Sequence, residues 1–133
     1  MQQETDKLIQ LHKEALQAHL DGDVDALLAA EPADYIVANR GEISHPSLEE
    51  RRSLFGHYLG QTEFSEYRDL VEPVVHVSAD GTLGWVIAQV KAKGVQMTAA
   101  GPQPLEFISA WIELYEKREG RWQRIGNVSN FKT

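Results

Sequence analysis

Glu113 is the acidic side chain whose setting most invites chemistry. Alternate residues of a strand share a face, so Leu105, Phe107, Trp111 and Tyr115 stand on the same side as Glu113. An acid among such neighbours loses hydration, its pKa rises, and it can act as a general acid or base. A second reading of the same residues makes this face the outer one. Glu113 then forms a half-exposed ion pair across the hairpin with Arg124 or Arg121. Glu113 is the candidate catalytic residue, and both readings stand.

The last strand-like segment, Gly126-Asn127-Val128-Ser129-Asn130-Phe131, is polar where a closing core strand would be apolar. Asn127, Ser129 and Asn130 can orient a ligand through hydrogen bonds, or can satisfy the backbone of a strand edge. Amides and hydroxyls are poor general bases. Tyr35 and Tyr58 offer hydroxyls that either donate to a ligand oxygen or reach the rim of a packed core. Trp111 and Trp85 can wall a pocket for a flat apolar molecule or form a dimer face. The five histidines, His12, His19, His45, His57 and His76, show no His-x-His or His-x-x-x-His spacing. His12 and His19 lie two helical turns apart, too far to share one metal ion, so no metal site is expected. Ser44, Ser47 and Ser129 lack the sharp Gly-x-Ser-x-Gly turn of a serine nucleophile, and no glycine-rich phosphate loop or other cofactor motif occurs.

These residues must be positioned by a chain that changes period once. Leu8, Ile9, Leu16 and Leu20, with Ala15 and His19, recur at helical spacing between Asp6 and Leu20, and Gly22 is a stop. Asp23 caps a short second helix carrying Val24, Leu27 and Leu28, which Pro32 helps to end. The run Ala33 to Asn39 reads as a strand, and Asn39-Arg40-Gly41 turns it into a short Glu42-Ile43-Ser44 partner. Ser47-Leu48-Glu49-Glu50 is a capping box that starts a third helix. Leu48, Arg52, Phe55 and Leu59 form its stripe, Leu54 and Tyr58 stand beside it, and Gly60 ends it. Beyond Gly60 the period falls to two. One strand is expected over about Glu63 to Ala79, and Asp80-Gly81 turns it into a second, Leu83 to Val95. A looser stretch from Met97 to Pro104 leads to Leu105–Lys117, and Glu119-Gly120 turns into Trp122–Phe131. Helices first and a meander afterwards imply an α+β fold, three helices on one face of a mainly antiparallel sheet.

At 133 residues the chain suits one domain spanning 1–133. Thirteen basic against twenty acidic residues give a net charge of -7, which repels nucleic acid and anionic membrane. Without cysteine there is no disulfide, thiolate nucleophile or cysteine-ligated metal, which fits the cytoplasm. No apolar window approaches the ~20 residues that a bilayer requires, and the N-terminus has no signal-peptide pattern.

Three segments carry a resemblance. They are the Asp21-Gly22-Asp23-Val24-Asp25-Ala26-Leu27 helix junction, the Ala79-Asp80-Gly81-Thr82-Leu83-Gly84-Trp85-Val86 hairpin and the closing Lys117-Arg118-Glu119-Gly120-Arg121-Trp122-Gln123-Arg124-Ile125 segment. In this order and spacing the chain resembles the nuclear-transport-factor-2-like superfamily over essentially its entire length. The closing segment looks most like the SnoaL-like branch or a neighbouring uncharacterised family. The resemblance implies a cone, the cystatin-like roll, whose helices and concave sheet enclose a cavity, in a homodimer. It does not imply one activity, because the scaffold hosts isomerases, dehydratases, cyclases and non-catalytic domains. SnoaL-like members often carry histidine or aspartate in the last strand, where this chain has Asn127, Ser129 and Asn130.

The resulting expectation is a dimeric domain that binds a small apolar or amphipathic ligand. Aromatic and aliphatic residues, Trp111 among them, would supply affinity, and Tyr35, Tyr58, Asn127, Ser129 and Asn130 would orient the ligand. Two alternatives stand beside it: a proton-transfer enzyme using Glu113 with a tyrosine donor, and a non-catalytic dimeric scaffold burying Trp85 or Trp111 against a partner.

Overall fold

Leu8, His12 and Leu16 recur every fourth residue and put one buried row on α1 (Gln2–Asp21) in the computed structural model, which describes residues 2–132. Gly22 ends the helix at a positive φ of 67°. Asp23 then caps α2 (Val24–Leu28) by accepting from the Ala26 amide, and Leu27 and Leu28 pin that short helix to the core. β1 (Ile36–Asn39) and β2 (Glu42–Ser44) form the small hairpin. α3 (Leu48–Gln61) starts at the capping box of Ser47 and Glu50, both of whose hydrogen bonds are present. Its inward row is Arg51, Phe55, Tyr58 and Leu59, while Arg52, Leu48 and Leu54, expected on or beside the stripe, are exposed. The helix passes Gly60 and hands over to a strand at Thr62.

The expected strand from Glu63 to Ala79 is two strands, β3 (Thr62–Asp69) and β4 (Val74–Val77). Pro73 lacks the amide that would continue the ladder, and the chain breaks just before it resumes at Val74. β5 (Leu83–Thr98) and β6 (Gly101–Arg118) make one long hairpin, and the stretch expected to be loose is paired from Thr98↔Gly101 onward. Pro102 and Pro104 are tolerated there because β7 (Arg121–Phe131) pairs with β6 only over Ser109–Arg118, which leaves this end of β6 an edge. The strand order is β2-β1-β7-β6-β5-β3, with β4 also on β5. All pairings are antiparallel except β1 with β7.

Two register shifts decide which residues face the helices. An irregularity between Phe64 and Glu66 lets Phe64, Tyr67 and Asp69 share the concave face of β3. A second, opposite Leu114/Tyr115, adds one residue to β7, so that Arg124 and then Asn127, Ser129 and Phe131 all point inward. The interior is packed in two clusters. One gathers Leu16, Leu59, Phe64, Tyr67 and Val90, and the other gathers Leu8, Val86, Tyr115 and Trp122. No helix among the described residues is long and apolar enough to cross a membrane.

The sheet bends where backbone meets backbone. A Cβ built on Gly94 would lie 2.3 Å from the Glu63 carbonyl oxygen, whereas one on Gly56, inside α3, would meet nothing within 4 Å. Gly94→Ala is therefore expected to destabilise the protein by about 1–3 kcal/mol through overpacking, and Gly56→Ala to stabilise it by about 0.5–1 kcal/mol through helix propensity. Urea unfolding of the two variants checks both signs.

Candidate functional site

β6 delivers Glu113 to the concave face, where α1 lies over it, so the carboxylate is buried and 4% exposed. Four groups surround it. Its Oε2 accepts from the Trp111 indole at 2.7 Å and faces His12 Nδ1 at 2.5 Å. Its Oε1 accepts from the Tyr115 hydroxyl at 2.5 Å, with Arg124 Nε 3.9 Å away. The other ring nitrogen of His12 is 2.7 Å from Asp69 Oδ1. Each imidazole nitrogen thus faces a carboxylate oxygen, and only the imidazolium can donate to both.

The network runs on through the core. Arg124 donates to the Tyr115 hydroxyl at 3.1 Å and to the Leu11 carbonyl at 3.2 Å, and meets Glu31 at 3.5 Å. Glu31 also accepts from Arg51 at 2.8 Å. Arg51 donates further to the carbonyls of Pro46 and Pro32 and lies over the Tyr35 ring, 4.7 Å from its centroid. The Tyr35 hydroxyl accepts from Asn127 at 2.7 Å. Among the described residues no buried side-chain polar atom lacks a partner.

Charge states follow from this geometry. Burial pushes Glu113 up, but the hydrogen bond and charge of His12, the Arg124 cation and the Trp111 indole outweigh it and hold the carboxyl at about 2. Burial pushes His12 down, and its hydrogen bonds and charge pairing with Glu113 and Asp69 reverse this and raise it. Burial lifts Glu31 above the usual carboxylate range despite its two guanidinium partners. His19 is the contrasting case. Burial takes it down to about 4, its Nδ1 sits 2.7 Å from the Ala15 carbonyl, and it stacks on Tyr67 at 4.0 Å.

An ionised carboxylate whose two oxygens are both occupied is held by the protein and is not free to take a substrate proton. Glu113 is an anchor for four side chains, and its pairing with Arg124 occurs on the buried face. The residues expected to bind a ligand are distributed around it. Trp111 is bound to Glu113, and Tyr35 and Asn127 are bound to each other. Ser129 lies opposite Trp111 on the concave face, half-exposed. Tyr58 sits across from them on α3, edge-on to Phe64, with burial lifting its hydroxyl to about 12. Asn130 pairs with Ala110 on the opposite, convex face and is exposed. The described residues contain no group of three or more acidic, histidine or cysteine side chains arranged to hold a metal ion. Sequence reasoning passed over His12, Asp69, Glu31 and Arg51. The spacing Leu8-x-x-x-His12-x-x-x-Leu16 was the available signal for the first.

The helices cover the concave face only in part. α1 and α3 lie over β3, β4 and β5. The concave residues of β6 and β7 beyond that cover, Phe107, Trp111, Asn127, Ser129 and Phe131, stay half-exposed or exposed. Phe55 and Tyr58 of α3 and Leu105, Phe107 and Trp111 of β6 pack on the same core cluster.

Solved structures with this architecture are similar over nearly the whole chain. An NTF2-like protein of unknown function from Pseudomonas putida superposes with a TM-score of 0.76 at 15% identity, covering 98% of this chain and 87% of its own. An NTF2-like protein from Cytophaga hutchinsonii gives 0.74 at 16%, covering 96% and 97%. A ketosteroid isomerase-like protein from Erwinia carotovora atroseptica gives 0.73 at 15%, covering 100% and 99%. The fold is nuclear-transport-factor-2-like. No protein-family model matches the sequence, and no curated protein matches it. Within the NTF2-like cone of this chain, the inner wall is given over to the Glu113 network.

pH should expose the network as stability. Glu113 has a depressed folded pKa, so its contribution is present above the ordinary carboxylate value and is lost as pH falls from about 4.5 towards 2. His12 has a raised one, so its contribution is full below about 6.5 and is lost as pH rises through the folded value. Glu113→Gln should cost about 3–5 kcal/mol near neutral pH, the usual cost of stranding one partner of a buried pair, and should flatten the acid limb. His12→Leu should flatten the alkaline limb. Urea unfolding across pH for the three proteins is the check.

Proposed function

We propose that this protein binds a small, flat, amphipathic molecule in the trough between α3 and the β6–β7 wall. The observation that carries the reading is the half-exposure of Trp111, Asn127 and Ser129 on the part of the concave face that α1 and α3 leave uncovered. An aromatic wall with a few convergent hydrogen-bonding groups is the usual composition of a small-molecule site. Trp111 is fixed by its bond to Glu113, and Asn127 by its bond to Tyr35, so both would meet a ligand already oriented. A proton-transfer role for Glu113 is the weaker reading, because its oxygens are engaged by His12, Trp111 and Tyr115.

The probe is 2-naphthol, a flat ring with one hydroxyl, added to nitrogen-15-labelled protein. The Trp111 indole and the Asn127 side-chain amide should shift, and Ser129→Trp, which fills the trough, should abolish the shifts. Shifts confined to other residues, or unchanged in Ser129→Trp, would refute the reading.

The same protein is proposed to act as a homodimer through the convex face. Val74, Ile87, Ile112, Val128, Ala38 and Ile43 are successive cross-strand partners, one apolar row running over six strands. Val74, Ile87, Val128 and Ile43 are exposed, and Trp85 and Leu114 extend the row. A contiguous face of this kind is what an isologous interface covers, and Trp85 would be buried there. Ile87→Glu combined with Val128→Glu should convert the dimer to folded monomers in sedimentation experiments. A wild-type monomer at micromolar concentration, or a dimer that survives both changes, would contradict it.

A further inference from the structure

We infer a second small-molecule site, between α1, α2 and β7, that takes a short aliphatic monocarboxylate. It is a cavity of about 210 Å³, open on one side, where α1, α2 and the start of β7 meet. Two rows at helical spacing build it, and the second is all alanine. Leu11, Glu14 and Ala15 on α1 have the spacing i, i+3, i+4, and so do Ala26, Ala29 and Ala30 along and just beyond α2. Leu27 and Leu28 are buried on the core side of α2, which turns the alanines towards α1. Trp122 forms the wall that closes the space from β7. Alanine is what keeps the cavity open. Its volume falls between the roughly 150 Å³ that admits benzene and the roughly 300 Å³ at which drug-sized pockets begin.

The charge at the mouth selects the ligand class. Arg121 lines the opening and makes no ion pair or side-chain hydrogen bond with any described residue. The other basic groups nearby are committed: Lys7 and Lys117 pair with Glu4, and Arg118 pairs with Asp34 and Glu116. Glu14, the acidic group of the lining, accepts from Gln10. On the floor, Arg124 crosses between two lining residues, its backbone amide on the Ala30 carbonyl and its guanidinium on the Leu11 carbonyl. A molecule with one carboxylate would pair with Arg121 and place its hydrocarbon against Leu11, the alanines and Trp122, the apolar part supplying most of the affinity.

Octanoate, octylamine and octanol, added separately to the nitrogen-15-labelled full chain, form the test. Three tryptophans report on three separate places: Trp122 on this cavity, Trp111 on the trough and Trp85 on the convex face. Octanoate should shift the Trp122 indole and the Ala29 and Ala30 amides while leaving Trp111 and Trp85 in place. Arg121→Glu, an exposed change, should weaken octanoate about tenfold and improve octylamine. Ala29→Trp, also at an exposed position, should remove the binding. Octanol or octylamine binding the wild type as tightly as octanoate would overturn the carboxylate assignment. Octanoate shifts that persist in Ala29→Trp, or that appear at Trp111 alone, would overturn the site.

Discussion

The ionised carboxylate of Glu113, buried between α1 and the sheet, is the constraint on which the interior depends. A charge in that position is tolerable only when its oxygens are occupied and a cation is close. His12, Trp111, Tyr115 and Arg124 meet that demand from α1, β6 and β7. His12 and Arg124 are then each held by a further carboxylate. His12 needs Asp69 on β3, and Arg124 needs Glu31, which in turn holds Arg51 on α3. One buried charge therefore ties α1, α3 and the strands β3, β6 and β7 to a single geometry.

The order of helices, the Asp80-Gly81 turn and the closing β6–β7 hairpin were legible in the sequence, because helix caps, Gly stops and tight turns act locally, whereas the long β5–β6 hairpin was not. The inward placement of Glu113 was legible only as one of two alternatives. Its strand carries large residues on both faces, with Leu105, Phe107, Trp111 and Tyr115 on one and Ile108, Ile112 and Leu114 on the other. The choice is made by partners distant in sequence, above all His12, 101 residues away. Two bulges hid the rest. Strict alternation along β7 puts Arg124 and Asn127 on opposite faces, and the extra residue at the bulge puts both inside. Along β3 the irregularity after Phe64 does the same for Asp69. Arg51 was masked by its own type, since an arginine on a helix is normally solvated, and only Glu31 and two carbonyls make its burial tolerable.

Function follows from what the network leaves over. Polar groups of the narrow interior are spent largely on one another, with both oxygens of Glu113 engaged. What remains available is the less covered part of the concave face, with Trp111 and Asn127 held in place from behind. Rigid support of this kind lowers the entropy lost on binding. The uncovered concave residues, the cavity at α1 and α2, and the convex apolar row lie in three different places, so the occupants proposed for them would not compete.

The protonation state of His12 tests this account most directly, read from the nitrogen-15 shifts of its imidazole ring in histidine-labelled protein at pH 7. The network as described requires both ring nitrogens to carry protons, one facing Glu113 and the other Asp69. A neutral His12 at pH 7 would contradict it, because a neighbouring carboxyl could then hold the proton and Glu113 would return as a candidate acid.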